Sequence, residues 1–178
     1  SKGDAPQAQF RIGVLPPPAL FMEDFESGAE GWETEQVSGD ASWELGTPAV
    51  DALTMAHSGS NVYGTDLDGN YGDLVNASLT SPLFDLTEAR RAQLKFWYFV
   101  DTDEGAEGVQ LRYLNESGDP VVPPEVILSG QSEGWIPFDE KVPSEAIGQK
   151  IRLQFVFLTD GDPPYGAGFY LDDVVVDD

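Results

Sequence analysis

Residues 168–176 read GFYLDDVVV, an aromatic pair, a leucine and three valines interrupted by two adjacent carboxylates, Asp172 and Asp173. Aromatic and β-branched residues in such a run specify a buried strand. Side chains alternate across a strand, so at least one of the two aspartates is expected to face inward or into a covered edge. An unpaired buried carboxylate is very costly, and the chain therefore needs something to neutralise it. The first apolar strand, LFMEDFESG (20–28), carries Glu23, Asp24 and Glu26. A closed sandwich commonly lays its terminal strands side by side, which would gather these carboxylates with Asp172 and Asp173. Their mutual repulsion calls for a cation, and an all-oxygen ligand set selects a hard ion such as Ca²⁺. The competing reading makes Asp172 and Asp173 guards of a sheet edge, salt-bridged or solvated.

Other residues with chemical potential read less well. His57 is the sole histidine and is followed by Ser58. Adjacent side chains do not easily face one another, so Ser58 beside Gly59 reads as a turn rather than an activated nucleophile. Zinc is poorly served by one histidine and no cysteine. Asp66, Asp68 and Asn70 in TDLDGN resemble the start of an EF-hand loop, but the twelfth position holds no glutamate, and a β-turn is expected there. Asp160 and Asp162 in TDGDPPYG are likewise expected to shape a turn.

The elements that must position these groups are nearly all strands. Ten apolar segments, LFMEDFE, WELG, NVYGTDL, ASLTSPLF, AQLKFWYFVD, GVQLRYLN, PEVILSG, WIPFDEKV, KIRLQFVFLTD and GFYLDDVVV, are separated by Gly, Asp, Asn and Pro clusters. They predict an all-β, two-sheet antiparallel sandwich of jelly-roll, MAM-like type over residues 20–178. Only EARRAQ and PSEAIGQ could hold a helical turn. Residues 1–19, proline-rich, read as an N-terminal arm or linker whose Phe10, Ile12, Val14 and Leu15 need a surface to pack on.

Parity sorts the long strands. Ile151, Leu153, Phe155 and Phe157 form one core row, joined by Leu94, Phe96, Tyr98 and Val100 and by Val109, Leu111 and Tyr113. The opposite parity collects Lys95, Trp97, Phe99, Gln110, Arg112, Arg152 and Gln154, read as a single outward face carrying aromatic platforms and hydrogen-bonding groups. Such a face suits a glycan or a protein contact, or coverage by the arm.

Composition narrows the partners. The chain has 178 residues, a formal charge of -23 from 32 acidic and 9 basic residues, and no cysteine. That charge disfavours nucleic acid and anionic lipid. No apolar run approaches the ~20 residues needed to cross a bilayer, so no membrane insertion is expected.

The order FMEDFESG…GW, SWELGTP, AHSGSNVYGTDLDGNY, ASLTSPLFDL, LKFWYFVD and GFYLDDV resembles the MAM-type β-sandwich, especially its cysteine-free bacterial relatives, over roughly residues 20–176. Such modules are appended to secreted proteases of the immune inhibitor A and bacillopeptidase type, and share their layout with calcium-containing carbohydrate-binding jelly rolls. The resemblance implies a metal held by Glu26, the Asp24 carbonyl, a carbonyl of Ser60 or a neighbour in HSGSN, and Asp172, with Asp173 as the alternate. It implies a non-catalytic, monomeric accessory or adhesion module of an extracellular or cell-surface bacterial protein, contacting other domains of that protein. The alternative it leaves open is a carbohydrate-binding module using the aromatic and polar face.

Overall fold

The computed structural model describes residues 19–178, apart from Ala106, Glu125, Pro164 and the Val126 side chain. The expected packing of the N-terminal arm lies outside the described residues.

Among the described residues twelve strands form two antiparallel sheets. In chain order they are β1 Phe21–Glu23, β2 Glu33–Ser38, β3 Glu44–Gly46, β4 Val62–Gly64, β5 Asn76–Thr80, β6 Phe84–Asp85, β7 Gln93–Asp101, β8 Gly108–Asn115, β9 Val126–Leu128, β10 Ile136–Lys141, β11 Lys150–Leu158 and β12 Gly168–Asp177. The first sheet runs β10-β7-β12-β4-β3 with β1 also on β12, and the second runs β2-β5-β11-β8-β9 with β6 also on β11. The expected side-by-side terminal strands are present, with Phe21 opposite Val176 and Glu23 opposite Val174. A 3-10 turn, Ser144–Ala146, occupies part of PSEAIGQ, whereas EARRAQ makes no helical turn.

The inward rows pack as alternation dictates. Ile151, Leu153, Phe155 and Phe157 from the second sheet meet Leu94, Phe96 and Val100 from the first in one core that also contains Val109, Leu111 and Tyr113. Tyr98 packs at its margin, its ring parallel to that of Phe169. Phe96 joins the layers, stacked on Phe138 at 4.3 Å and edge-on to Phe155 at 5.5 Å. Each such side chain stabilises the fold by roughly 1.5–3 kcal/mol through burial.

Two features depart from the segment pattern. Strand β2, ETEQVS, is exposed throughout; it carries no apolar alternation and is a strand because it pairs with β5. As a sheet edge it is protected by Glu33 and Glu35. The segment ASLTSPLF divides into β5 and β6 because Pro82 has no N–H to continue the ladder. Ser81 bridges the gap on both sides, its amide donating to the Leu153 carbonyl and its hydroxyl accepting from the Leu153 amide, each at 2.9 Å.

The single outward face does not form. Lys95, Trp97 and Phe99 lie on β7 of the first sheet, while Gln110 and Arg112 on β8 and Arg152 and Gln154 on β11 belong to the second. Their outer faces point away from each other across the sandwich. Parity within a strand says which side chains share a face, but not which sheet the strand joins. Phe99 is also only 2% exposed: with Val62, Ala167 and Tyr170 it is roofed by Val50 and Leu53 in a second, smaller core.

Candidate functional site

Strand β12 borders β7 on one side. On its other side it meets β4 at Tyr170 and Leu171, and β1 at Val174 to Val176. Asp172 and Asp173 fall in the notch between those two partners. There the ladder shifts: Asp172 is opposite Trp97 but Val175 is opposite Lys95, so Asp173 and Val174 share one partner position. This β-bulge, with Asp173 at φ 49°, resets the alternation. Leu171 and Val174 both reach the main core, and neither aspartate has to.

Both carboxylates instead meet the turn His57–Asn61 that leads into β4. Asp172, fully buried, accepts from the Ser58 amide at 3.0 Å and from the Asp173 amide at 2.7 Å. Asp173 accepts from the Ser58 hydroxyl at 2.8 Å and meets His57 Nδ1 at 2.6 Å. Burial pushes the Asp172 carboxyl up to about 6, against the lowering effect of the Ser58 amide and with a further upward push from the charge of Asp173.

The exit of β1 closes the other side. Phe25, at φ 59°, turns fully into the core edge-on to Tyr63 and Trp32, which throws the acids on either side of it outward. Glu23 accepts from the Phe25 amide and the Trp32 indole. Glu26 Oε1 accepts from the Ser60 amide at 2.8 Å and the Asn61 amide at 2.7 Å. Those amides hold the Glu26 carboxyl below the usual carboxylate range, opposed by the charge of Asp173. Asp24 Oδ1 accepts from the Glu26 amide at 3.1 Å.

Glu26, Ser60, Asp172 and Asp173 are thus brought together, with Asp24 joined through the Glu26 backbone. Three segments converge as oxygen donors for a hard cation must. Each carboxylate oxygen offers two lone pairs, so the bonds already made do not exhaust Glu26 or the two aspartates. The structure adds a partner that sequence reasoning missed: His57, which with Asp172 and Asp173 brings one ligand atom each within 4.8 Å of the others. Its signal was present as the sole histidine, in the turn already expected to meet β12.

His57 also lies flat on Trp97, with centroids 3.9 Å apart, and meets Trp135 edge-on at 6.1 Å. The Trp135 indole donates to the Met55 carbonyl at 3.1 Å. The remaining binding candidates are engaged locally. Lys95 pairs with Asp177 at 2.8 Å, Arg112 donates twice to Gln110, Arg152 donates to the Ser81 carbonyl and Gln154 to the Thr80 hydroxyl. Asp66 accepts from the Asp68 and Gly69 amides, and Asp160 from the Asp162 amide, as β-turns require.

Two antiparallel sheets joined in this way define a jelly-roll-type β-sandwich module. The chain is 29% identical over 163 residues to Bacillopeptidase F of Bacillus subtilis (strain 168), covering 90% of this chain and 11% of that protein. The K3 cleaved adhesin domain of Lys-gingipain from Porphyromonas gingivalis W83 shares the fold at a TM-score of 0.59 and 18% identity, over 90% of this chain and all of that one. The C-terminal family 22 carbohydrate binding module of Clostridium thermocellum Xyn10B does so at 0.51 and 12%, over 89% and 92%. No protein-family profile matches the chain. Among the described residues no helix is long and apolar enough to cross a membrane.

Proposed function

We propose that this chain is a non-catalytic accessory or adhesion module of a larger secreted or cell-surface bacterial protein, stabilised by a structural Ca²⁺ and mediating protein contacts. The observation that carries this reading is the use made of the acids. Glu26, Asp172 and Asp173 are spent on tying β1, the turn before β4 and β12 to one another. The Ser58 hydroxyl donates to Asp173 rather than to His57, so the pair lacks the nucleophile-to-base hydrogen bond that acyl transfer requires. The likeness to a stretch of Bacillopeptidase F and to an adhesin domain supports an appended, extracellular role.

The metal would be held by Glu26, the carbonyls of Asp24 and Ser60, and Asp172 or Asp173. A ligand bound only by the folded state raises stability by about 2.7 kcal/mol at a hundredfold excess over its Kd. Melting of the chelator-stripped protein in calcium and in magnesium, at constant ionic strength, tests this. A calcium-specific rise that Asp172→Asn weakens and Asp68→Asn preserves is the expected result. Equal melting in chelator and calcium removes the metal.

A second reading, carbohydrate binding, is favoured by one observation: Trp97 and Trp135, both partly exposed, gather around His57 on the outer face of the first sheet. Retention on immobilised soluble glycans, lost on Trp135→Ala, would establish it over the first.

A further inference from the structure

At the other end of β7, the connection to β8 reads DTDEGAEG from Asp101, with carboxylates at 101, 103, 104 and 107. Glu107 is 1% exposed. Its Oε2 accepts from the Tyr71 hydroxyl and from the Asp103 amide at 3.3 Å, so the carboxylate is turned into the loop that carries the other acids. Its Oε1 is buried without any hydrogen-bond partner, alone in this respect among the described residues. The loop's Asp101, Thr102, Asp103 and Glu104 line a cleft of about 550 Å³ with Gly130, Gln131, Tyr165 and Gly166.

A carboxylate satisfied on one oxygen and bare on the other is costly in a buried setting. Among the described residues no base pairs with the loop: the ion pairs are His57–Asp173, Arg91–Asp178 and Lys95–Asp177. Negative charge also accumulates on the far wall, where the Tyr165 phenol is pushed up by burial and then by the charges of Asp73, Glu107, Asp162 and Asp160. A bare buried carboxylate oxygen in a loop that carries three further carboxylates suits a hard divalent cation.

We infer that the β7–β8 loop is a second divalent-cation site of the Ca²⁺ class, ligated by Glu107 Oε1 and the Asp103 carboxylate, with Asp101 and Glu104 supplying field. Asp101 is held in place by the Ala167 amide at 3.0 Å and the Gln131 side chain at 3.1 Å. The site is independent of the Glu26–Asp172 cluster, because the two share no residue.

Calorimetric titration of the chelator-stripped chain with CaCl₂ tests it, with the β-sheet circular dichroism spectrum checked for every variant. Glu107→Gln removes one bound calcium per chain. Asp103→Asn, at an exposed position that leaves the fold intact, weakens the same event at least about tenfold, since losing even an outer partner of a metal ligand costs that much. The event persists in the Glu26→Gln, Asp172→Asn double variant, whatever that variant does to the other site. Should Glu107→Gln fail to fold, Asp103→Asn decides. A native chain that takes up no calcium, or an isotherm unchanged by Asp103→Asn, overturns the inference. Loss of all uptake in the double variant, if that variant is folded, overturns it as well.

Discussion

His57 lies parallel to Trp97, their planes 13° apart, while its Nδ1 holds Asp173 at 2.6 Å. One imidazole thus roofs an aromatic side chain of β7 and ties down the bulge of β12. These two strands are directly paired, with Asp172 opposite Trp97, so the histidine fastens the turn before β4 onto the centre of the first sheet.

Replacing His57 with Ala should uncover Trp97 and leave Asp173 with Ser58 alone. The expected cost is about 1.5–3 kcal/mol, the range for a lost hydrogen bond to a charged group. In a Trp135→Phe background the tryptophans left besides Trp97 are Trp32 and Trp43, both buried. Acrylamide quenching should therefore rise on His57→Ala. Unchanged quenching would mean that something other than His57 shields Trp97.

Asp172 imposes a pH dependence when calcium is absent. Its carboxyl rises from an ordinary 3.8 to about 6 in the folded chain, so the native state binds the proton more tightly than the unfolded state. Its contribution is fully present below the unfolded value and lost as pH rises through the folded one, by about 3 kcal/mol at 1.36 kcal/mol per unit. In chelator, the stability of the native chain minus that of Asp172→Asn should fall between about pH 4 and 7. Glu26 and Asp85, shifted the other way, cancel in that difference. A difference that is flat with pH contradicts the burial argument.

Gly59 sits at φ +57°, and a Cβ there would lie 2.2 Å from Glu26 Cδ. Gly59→Ala should push the glutamate off the Ser60 and Asn61 amides as well as strain the backbone, the strain alone costing about 1–2 kcal/mol. Urea unfolding should show a lower midpoint with an unchanged slope. A midpoint equal to that of the native chain would show that Glu26 does not need its present position.

Phe155, fully buried against Phe96, tests the sandwich core. Phe155→Ala should cost about 3–5 kcal/mol. Phe99→Ala removes the same side chain from the smaller core beneath Val50 and Leu53, where a surface loop can settle into the space, and should cost less. Thermal melts of the two variants, reversed in order, would place the main core elsewhere.

Much of this protein was legible in its residues because alternation is a local property. The inward rows of β7, β8 and β11 are where period two puts them, and the pairing of the first and last strands followed from the habit of a closed sandwich of laying its terminal strands side by side. Strand β2 was not legible, since ETEQVS has no apolar face and owes its conformation to the backbone of β5. Sheet membership was not legible either. Lys95 and Arg112 have the same parity on neighbouring strands, but β7 and β8 cross from one sheet to the other, so the grouping of outward residues dissolved. The two aspartates show the division most clearly. Sequence alone established that adjacent carboxylates in an apolar strand need an exceptional environment. Only the tertiary structure decided its form, a bulge that turns both away from the core and a turn that arrives from 115 residues earlier in the chain to meet Asp173 with the Ser58 hydroxyl. Alternation is set between neighbours along the chain, whereas a bulge and its cover depend on which distant segments are left to fill the notch between β1 and β4.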